Sequence, residues 1–164
     1  MKKVVLFGCQ QIAVDFMCYL ETLDNVELSM VITYELPMDR VYGYQSVSEF
    51  CAEKSIELVS SRKIPPELHK RIQEISPDLI MSIYYRQIIP PSIFNIPTGG
   101  TFNVHPSLLP KYRGPIPTMW AIENGEKEFG VTIHKIDKGI DTGDIAFQEK
   151  HPVFEDDTGY TLYV

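Results

Sequence analysis

The chain opens on Val4-Val5-Leu6-Phe7, four apolar residues closed by Gly8. Such an uninterrupted run is expected of a strand buried on both faces. Behind it, Ile12, Phe16, Tyr19, Leu20 and Leu23 recur at spacings of three and four within Gln11 to Leu23, which predicts an amphipathic helix. Leu28 to Thr33 returns to β-branched and apolar residues. Strand, helix and strand in about thirty residues form a βαβ unit, which requires a parallel sheet and a right-handed crossover.

The alternation continues. Ser46 to Ser55 is predicted helical, with Ser46 as cap and Glu49 three residues on. Leu58-Val59 is a short strand, and Pro65-Pro66 opens a helix through Ile75, since proline is tolerated in a first turn. Asp78 to Ile83 is a strand. After Gly99-Gly100, Thr101 to Val104 is a strand that runs into the turn-rich segment Pro106 to Pro117. Thr118 to Asn124 is a short helix with Met119, Trp120 and Ile122 as its apolar face, and Gly130 to Ile136 and Asp144 to Val153 are strands. Glu35 to Gln45, with Pro37 and Gly43, reads as an exposed loop. Asp156-Asp157 before Tyr160-Thr161-Leu162-Tyr163 looks like the capped start of a helix, so the domain is expected to be incomplete at its C-terminal end. The repeated order predicts an α/β fold: an open, mostly parallel, Rossmann-like sheet flanked by helices, with ligands at the carboxyl ends of its strands.

Composition narrows the function. With 164 residues, 1–164 is expected to be one domain. A hydrophobic share of 44% excludes a disordered chain. Fifteen basic against twenty-two acidic residues give a net charge of −7, which disfavours nucleic acid as a partner. No apolar run is long enough to span a membrane. Three unevenly spaced cysteines (Cys9, Cys18, Cys51) form neither a metal motif nor a disulfide framework, and a cytoplasmic location is expected. The first turn, Gly8-Cys9-Gln10-Gln11-Ile12-Ala13, lacks the three glycines of a dinucleotide fingerprint.

The chemistry concentrates after the fifth strand, in Asn103-Val104-His105-Pro106-Ser107-Leu108-Leu109-Pro110-Lys111-Tyr112-Arg113-Gly114. Alternate strand residues share a face, so Asn103 and His105 are expected about 7 Å apart and pointing the same way. A carboxamide can stabilise a developing oxyanion and an imidazole can move a proton, a pairing suited to acyl transfer. Asp141 lies in the tight loop Gly139-Ile140-Asp141-Thr142-Gly143, from which a carboxylate could orient the ring and favour its protonated form. Read singly, each residue is also compatible with a structural role. From Thr101 to Ile122 there is no acidic residue, so Lys111 and Arg113 are expected to form a basic rim suited to a pyrophosphate. His134 and His151 lie in late strands without a second ligand at metal spacing, so no zinc site is expected. His69 reads as a solvated helix residue and Cys9 as a small core residue.

Taken together, Asn103-x-His105, Ser107 to Pro110, Tyr112-Arg113-Gly114, Gly130-Val131-Thr132-Ile133 and Asp141-Thr142-Gly143 resemble the formyltransferase family that uses 10-formyltetrahydrofolate, over about half the chain. The resemblance implies His105 as catalytic acid/base, Asn103 as transition-state stabiliser and Asp141 as the residue tuning His105. It also implies that the folate lies against Gln87, Ile88 and Ile89 and against the loop Asp137, Lys138, Gly139, Ile140 and Asp141, with no metal. Ser76 to Arg86 is similar to the branch that formylates amino sugars on nucleotide carriers, notably the domain acting on UDP-4-amino-4-deoxy-L-arabinose. That implies Tyr84, Arg86, Lys111 and Arg113 as substrate-binding residues and a nucleotide-linked amino sugar as partner. Where that relative carries an arginine after the glycine, this chain has Gly114-Pro115, so the donor is expected to be held otherwise there. Methionyl-tRNA and glycinamide ribonucleotide formyltransferases fit the first turn less well. A formyltetrahydrofolate hydrolase and a non-catalytic folate- or nucleotide-binding module remain as alternatives. A homo-oligomer, if one forms, is expected to use parts beyond Val164.

Overall fold

The computed structural model describes residues 1–36 and 43–163. Of the loop expected from Glu35 to Gln45, residues 37–42 lie outside the described residues. The described residues form an α/β fold. Its strands are β1 (Lys2–Gly8), β2 (Val26–Thr33), β3 (Leu58–Ser60), β4 (Leu79–Ile83), β5 (Thr101–His105), β6 (Glu128–Lys135) and β7 (Ile145–Pro152). The helices between them are α1 (Gln10–Glu21), α2 (Val47–Glu53), α3 (Leu68–Ile75), α4 (Pro91–Phe94) and α5 (Pro117–Glu123). The sheet order is β3-β2-β1-β4-β5-β6-β7. β1 pairs in parallel with β2 and β4, and β2 with β3, while β6 and β7 are antiparallel. This is the mostly parallel sheet expected from the strand–helix alternation. The chain falls into two compact units, Met1–Phe102 and Asn103–Val164.

In the first unit the core is the apolar run of β1. Val5, Leu6 and Phe7 are fully buried, so both faces of the strand are covered. The Phe7 ring meets Tyr85 edge-on with centroids 5.1 Å apart. α1 buries Ala13, Val14, Met17 and Leu20, a stripe rotated from the one expected, and Tyr19 is exposed. The reason is close packing. A Cβ at Gly8 would lie 2.8 Å from the Ala13 Cβ, so the helix approaches the strand through its small residues. α2 starts as predicted, with the Ser46 hydroxyl accepting from the Glu49 N–H at 3.1 Å. α4 has no counterpart in the periodicity of the sequence. Its four residues begin on Pro91, which supplies a first helical turn with φ already set.

The second unit holds the antiparallel pair β6–β7, in register from Glu128↔Pro152. Their close approach depends on Gly130, where a Cβ would sit 2.1 Å from the Glu149 carbonyl oxygen. The apolar face predicted for α5 is not the buried one: Pro117 and Ala121 face inward, while Met119 and Trp120 are each 56% exposed. Ile116 caps the helix in the left-handed region (φ 59), which turns the small residues rather than the large ones onto the unit. The helix start expected near Asp156-Asp157 is a set of hydrogen-bonded turns. There the Asp157 carboxylate accepts from the Phe154 N–H and the Thr161 hydroxyl, both at 2.8 Å.

Candidate active site

The expected alternation on β5 brings Asn103 and His105 into one cluster within the second unit. His105 is 5% exposed, and its Nε2 lies 2.8 Å from the Tyr112 carbonyl oxygen, an acceptor, so Nε2 carries a hydrogen and donates it. The loop presenting that carbonyl is clamped by one hydroxyl. Thr132 Oγ1 donates to the Ser107 carbonyl at 2.6 Å and accepts from the Leu109 N–H at 3.2 Å and Gln148 Nε2 at 2.8 Å, using its full bonding capacity. Ser107 Oγ adds a bond to the Lys111 carbonyl at 2.8 Å. Buried, satisfied networks of this kind fix geometry.

The carboxylate arrives from the loop after β6. Asp137 Oδ1 accepts from the Gly139 N–H at 2.9 Å and the Thr142 hydroxyl at 2.6 Å, closing the turn on itself. Gly143 packs so tightly that a Cβ would lie 1.8 Å from the Lys135 carbonyl oxygen. Asp141 itself sits at φ 51, a left-handed conformation that aspartate tolerates better than most residues. Its Oδ2 accepts from the Gly114 N–H at 2.8 Å and lies 3.5 Å from His105 Nδ1. Burial pushes the Asp141 carboxyl up, but the hydrogen bonds from His134 and the Gly114 N–H, with the neighbouring imidazoles, outweigh it and leave it below the ordinary aspartate value.

Sequence reasoning passed over one member of the cluster. His134, 2% exposed, places Nε2 3.3 Å from Asp141 Oδ1 and 3.3 Å from Asn103 Nδ2, while its Nδ1 lies 3.0 Å from the Lys135 carbonyl oxygen. The signal was present in the strand period: Thr132 and His134 share a face of β6 and both are buried. Two imidazoles thus flank one carboxylate, with a carboxamide beside the second. At 3.5 Å, His105 Nδ1 is only loosely held by Asp141, so it can turn to a reacting group and take a proton while Nε2 stays anchored. The donor set suits a carbonyl that gains negative charge.

The other expected residues divide by unit. Asp137, Lys138, Gly139 and Ile140 form the exposed side of the Asp141 loop, with Ile140 62% exposed. Lys111 differs from the free cation of a basic rim: its Nζ donates to Glu126 at 2.9 and 3.2 Å, and the Tyr112 hydroxyl donates to the same carboxylate at 2.8 Å. The acid-free stretch ends at Ile122, and Glu126 folds back onto it. Arg113 is exposed. In the first unit, Gln87 and Ile88 are exposed, whereas Ile89 is 4% exposed and belongs to the core. Tyr84 adopts φ 53 at the end of β4, and burial pushes its phenol upward; Arg86 is exposed. Among the described residues no group of three or more His, Cys, Asp and Glu could hold a metal ion, and no helix is long and apolar enough to cross a membrane.

Comparison with known proteins shows the family. The pattern of the formyl transferase family matches residues 2–164. A methionyl-tRNA formyltransferase of Caldanaerobacter subterraneus subsp. tengcongensis is 39% identical over 123 residues, 74% of this chain and 40% of that protein. The chain therefore spans about two fifths of that relative's length. Among solved structures, a phosphoribosylglycinamide formyltransferase from Bacillus halodurans superposes with a TM-score of 0.82 at 26% identity, covering 99% of this chain and 86% of that one. A sugar 3N-formyl transferase, WlaRD, determined in the presence of dTDP and 5-N-formyl-THF, superposes with a TM-score of 0.75 at 29% identity, covering 99% of this chain and 56% of that one. The match runs almost end to end, and on it the chain belongs to the formyl transferase family.

Proposed function

We propose that the protein transfers a formyl group from 10-formyltetrahydrofolate to the primary amine of a nucleotide-linked amino sugar in the cytoplasm. The observation that carries this reading is the buried His105, anchored at Nε2 and loosely held at Nδ1 beside the Asp141 carboxylate. The donor fits that arrangement because its reacting group is a carbonyl, and the site offers a carboxamide N–H on Asn103 beside an imidazole nitrogen that can take a proton. When bound, the folate supplies an activated formyl carbon. An N–H of Asn103 meets the formyl oxygen as it gains charge. A bond forms between the acceptor nitrogen and the formyl carbon as the bond from that carbon to the folate nitrogen breaks. The bare His105 Nδ1 takes the proton lost by the attacking amine, faces the charged oxygen as Nδ1–H, and passes that proton to the departing nitrogen. Asp141 keeps the ring oriented and compensates its charge.

The same reading extends to the remaining residues. Asp137, Lys138, Gly139 and Ile140 are proposed to contact the donor, Ile140 through its exposed apolar side chain. Gln87 and Ile88 are proposed to do so by side chain and Ile89 by backbone; Tyr84, Arg86 and Arg113 are proposed to bind the acceptor. Because its cation is paired with Glu126, Lys111 is expected to contribute least. Likeness to a sugar 3N-formyl transferase supports the sugar acceptor. The 39% identity to a methionyl-tRNA formyltransferase supports a second reading, in which the acceptor is the α-amine of a charged tRNA. Assaying UDP-, dTDP- and GDP-linked amino sugars beside methionyl-tRNA and glycinamide ribonucleotide, all with 10-formyltetrahydrofolate, decides between them. Turnover confined to either of the last two acceptors would discard the sugar assignment.

A further inference from the structure

One buried titratable side chain has no task in the mechanism above. His134 lies in contact with two groups that do, and its bonding capacity constrains what it can offer each. Nδ1 faces the Lys135 carbonyl oxygen at 3.0 Å, an acceptor only, so Nδ1 carries a hydrogen. Nε2 then has two neighbours, Asn103 Nδ2 and Asp141 Oδ1, each 3.3 Å away. A bare Nε2 accepts from the carboxamide nitrogen but turns its lone pair toward an anionic oxygen. An Nε2 bearing hydrogen as well makes the ring an imidazolium that donates to the carboxylate, and the carboxamide must then present its oxygen to the ring instead of its nitrogen. The hydrogen on one ring atom therefore decides which end of the Asn103 amide faces the reaction.

We infer that His134 is a positioning residue: through Nε2 it sets the orientation of the Asn103 carboxamide and holds the Asp141 oxygen that His105 does not face. This deepens the proposed function and rests on Asn103 as an oxyanion donor. It predicts that His134 acts through Asn103, so that the two substitutions do not multiply.

The test uses the protein as it stands with His134→Phe, His134→Gln, Asn103→Ala and the Asn103→Ala/His134→Phe double variant. Nitrogen-15 NMR of the unliganded protein should show hydrogen on His134 Nδ1, and His134→Phe should move the Asn103 side-chain amide resonance. In formyl transfer, His134→Phe should lower kcat roughly 10- to 100-fold while KM for the donor changes less than about threefold. Glutamine can both accept and donate near the Nε2 position, so His134→Gln should recover kcat to within about fivefold. In the Asn103→Ala background, His134→Phe should cost less than about threefold more. A bare Nδ1, an unmoved Asn103 resonance, or losses that multiply in the double variant would each overturn the inference. If His134→Phe does not fold, the His134→Gln spectrum and kcat decide alone, with a kcat loss beyond about tenfold counting against it. If the wild-type protein transfers formyl to no acceptor, the proposed function fails while the NMR measurements still judge the link between His134 and Asn103.

Discussion

Asp141→Asn isolates charge from shape. Asparagine occupies the left-handed region as readily as aspartate, so the backbone at φ 51 is not strained by the change. The new amide oxygen can still accept from the Gly114 N–H, now 2.8 Å from Asp141 Oδ2. What disappears is an anion 3.5 Å from His105 Nδ1 and 3.3 Å from His134 Nε2. Two unit charges about 4 Å apart at an effective dielectric near 20 interact by about 4 kcal/mol. Only the part of that energy gained as His105 takes up the amine proton lowers the barrier. At about 1.4 kcal/mol per tenfold, kcat should fall roughly 10²- to 10³-fold. Stability should fall by only about 1 kcal/mol, because the hydrogen bond survives without its charge assistance. The assay is initial-rate formyl transfer at saturating donor and acceptor, with thermal unfolding of the same preparation. A folded Asp141→Asn protein whose kcat stays within about threefold of wild type would falsify the role given to the carboxylate. Asp141→Ala should unfold more easily still, by a further ~1–2 kcal/mol, since alanine resists the left-handed backbone.

Further outcomes follow from other sites. Gly143→Ala places a Cβ where the Lys135 carbonyl oxygen stands 1.8 Å away, so it should displace the Asp141 loop; thermal unfolding should show a loss of ~2–4 kcal/mol, and kcat should fall with it. Phe7→Ala empties a fully buried position in the first unit and should cost ~3–5 kcal/mol in urea unfolding without altering the second unit's ring-nitrogen NMR signals. The depressed carboxyl of Asp141 stabilises the folded chain above its unfolded value of 3.8, and that contribution is lost as pH falls through the lower folded value. Urea unfolding between pH 6 and pH 3 should therefore show declining stability below about pH 4, with a shallower decline in Asp141→Asn. Lys111→Ala should leave KM for the acceptor within about threefold, because Glu126 already holds that cation, whereas Arg113→Ala should raise it at least tenfold.

The contrast between what the chain disclosed and what it concealed has a physical basis. Periods of two and of three to four, and the glycines that punctuate them, are local properties; from them β1, β4, the Ser46 cap and the shared face of Asn103 and His105 could all be read. Burial on a short helix is not local. Nothing in Pro117 to Glu123 alone says that Pro117 and Ala121 would pack while Trp120 stays exposed, because that depends on the left-handed entry at Ile116. Ion pairing is less local still: Lys111 looked free because its nearest neighbours in sequence carry no acid, and Glu126 met it only when the chain turned back. His134 stayed hidden for a different reason. As a lone histidine on a strand it resembles any buried polar residue, and only the arrival of Asp141 from the next loop makes its Nε2 consequential. Asp141 reaches it because Asp137 closes the turn on Gly139 and Thr142, and because Gly143 lets that turn lie against the Lys135 carbonyl. Asn103, His105 and Asp141 could thus be picked out by type, while the contacts that join them depend on a loop whose shape is set by Asp137, Thr142 and Gly143.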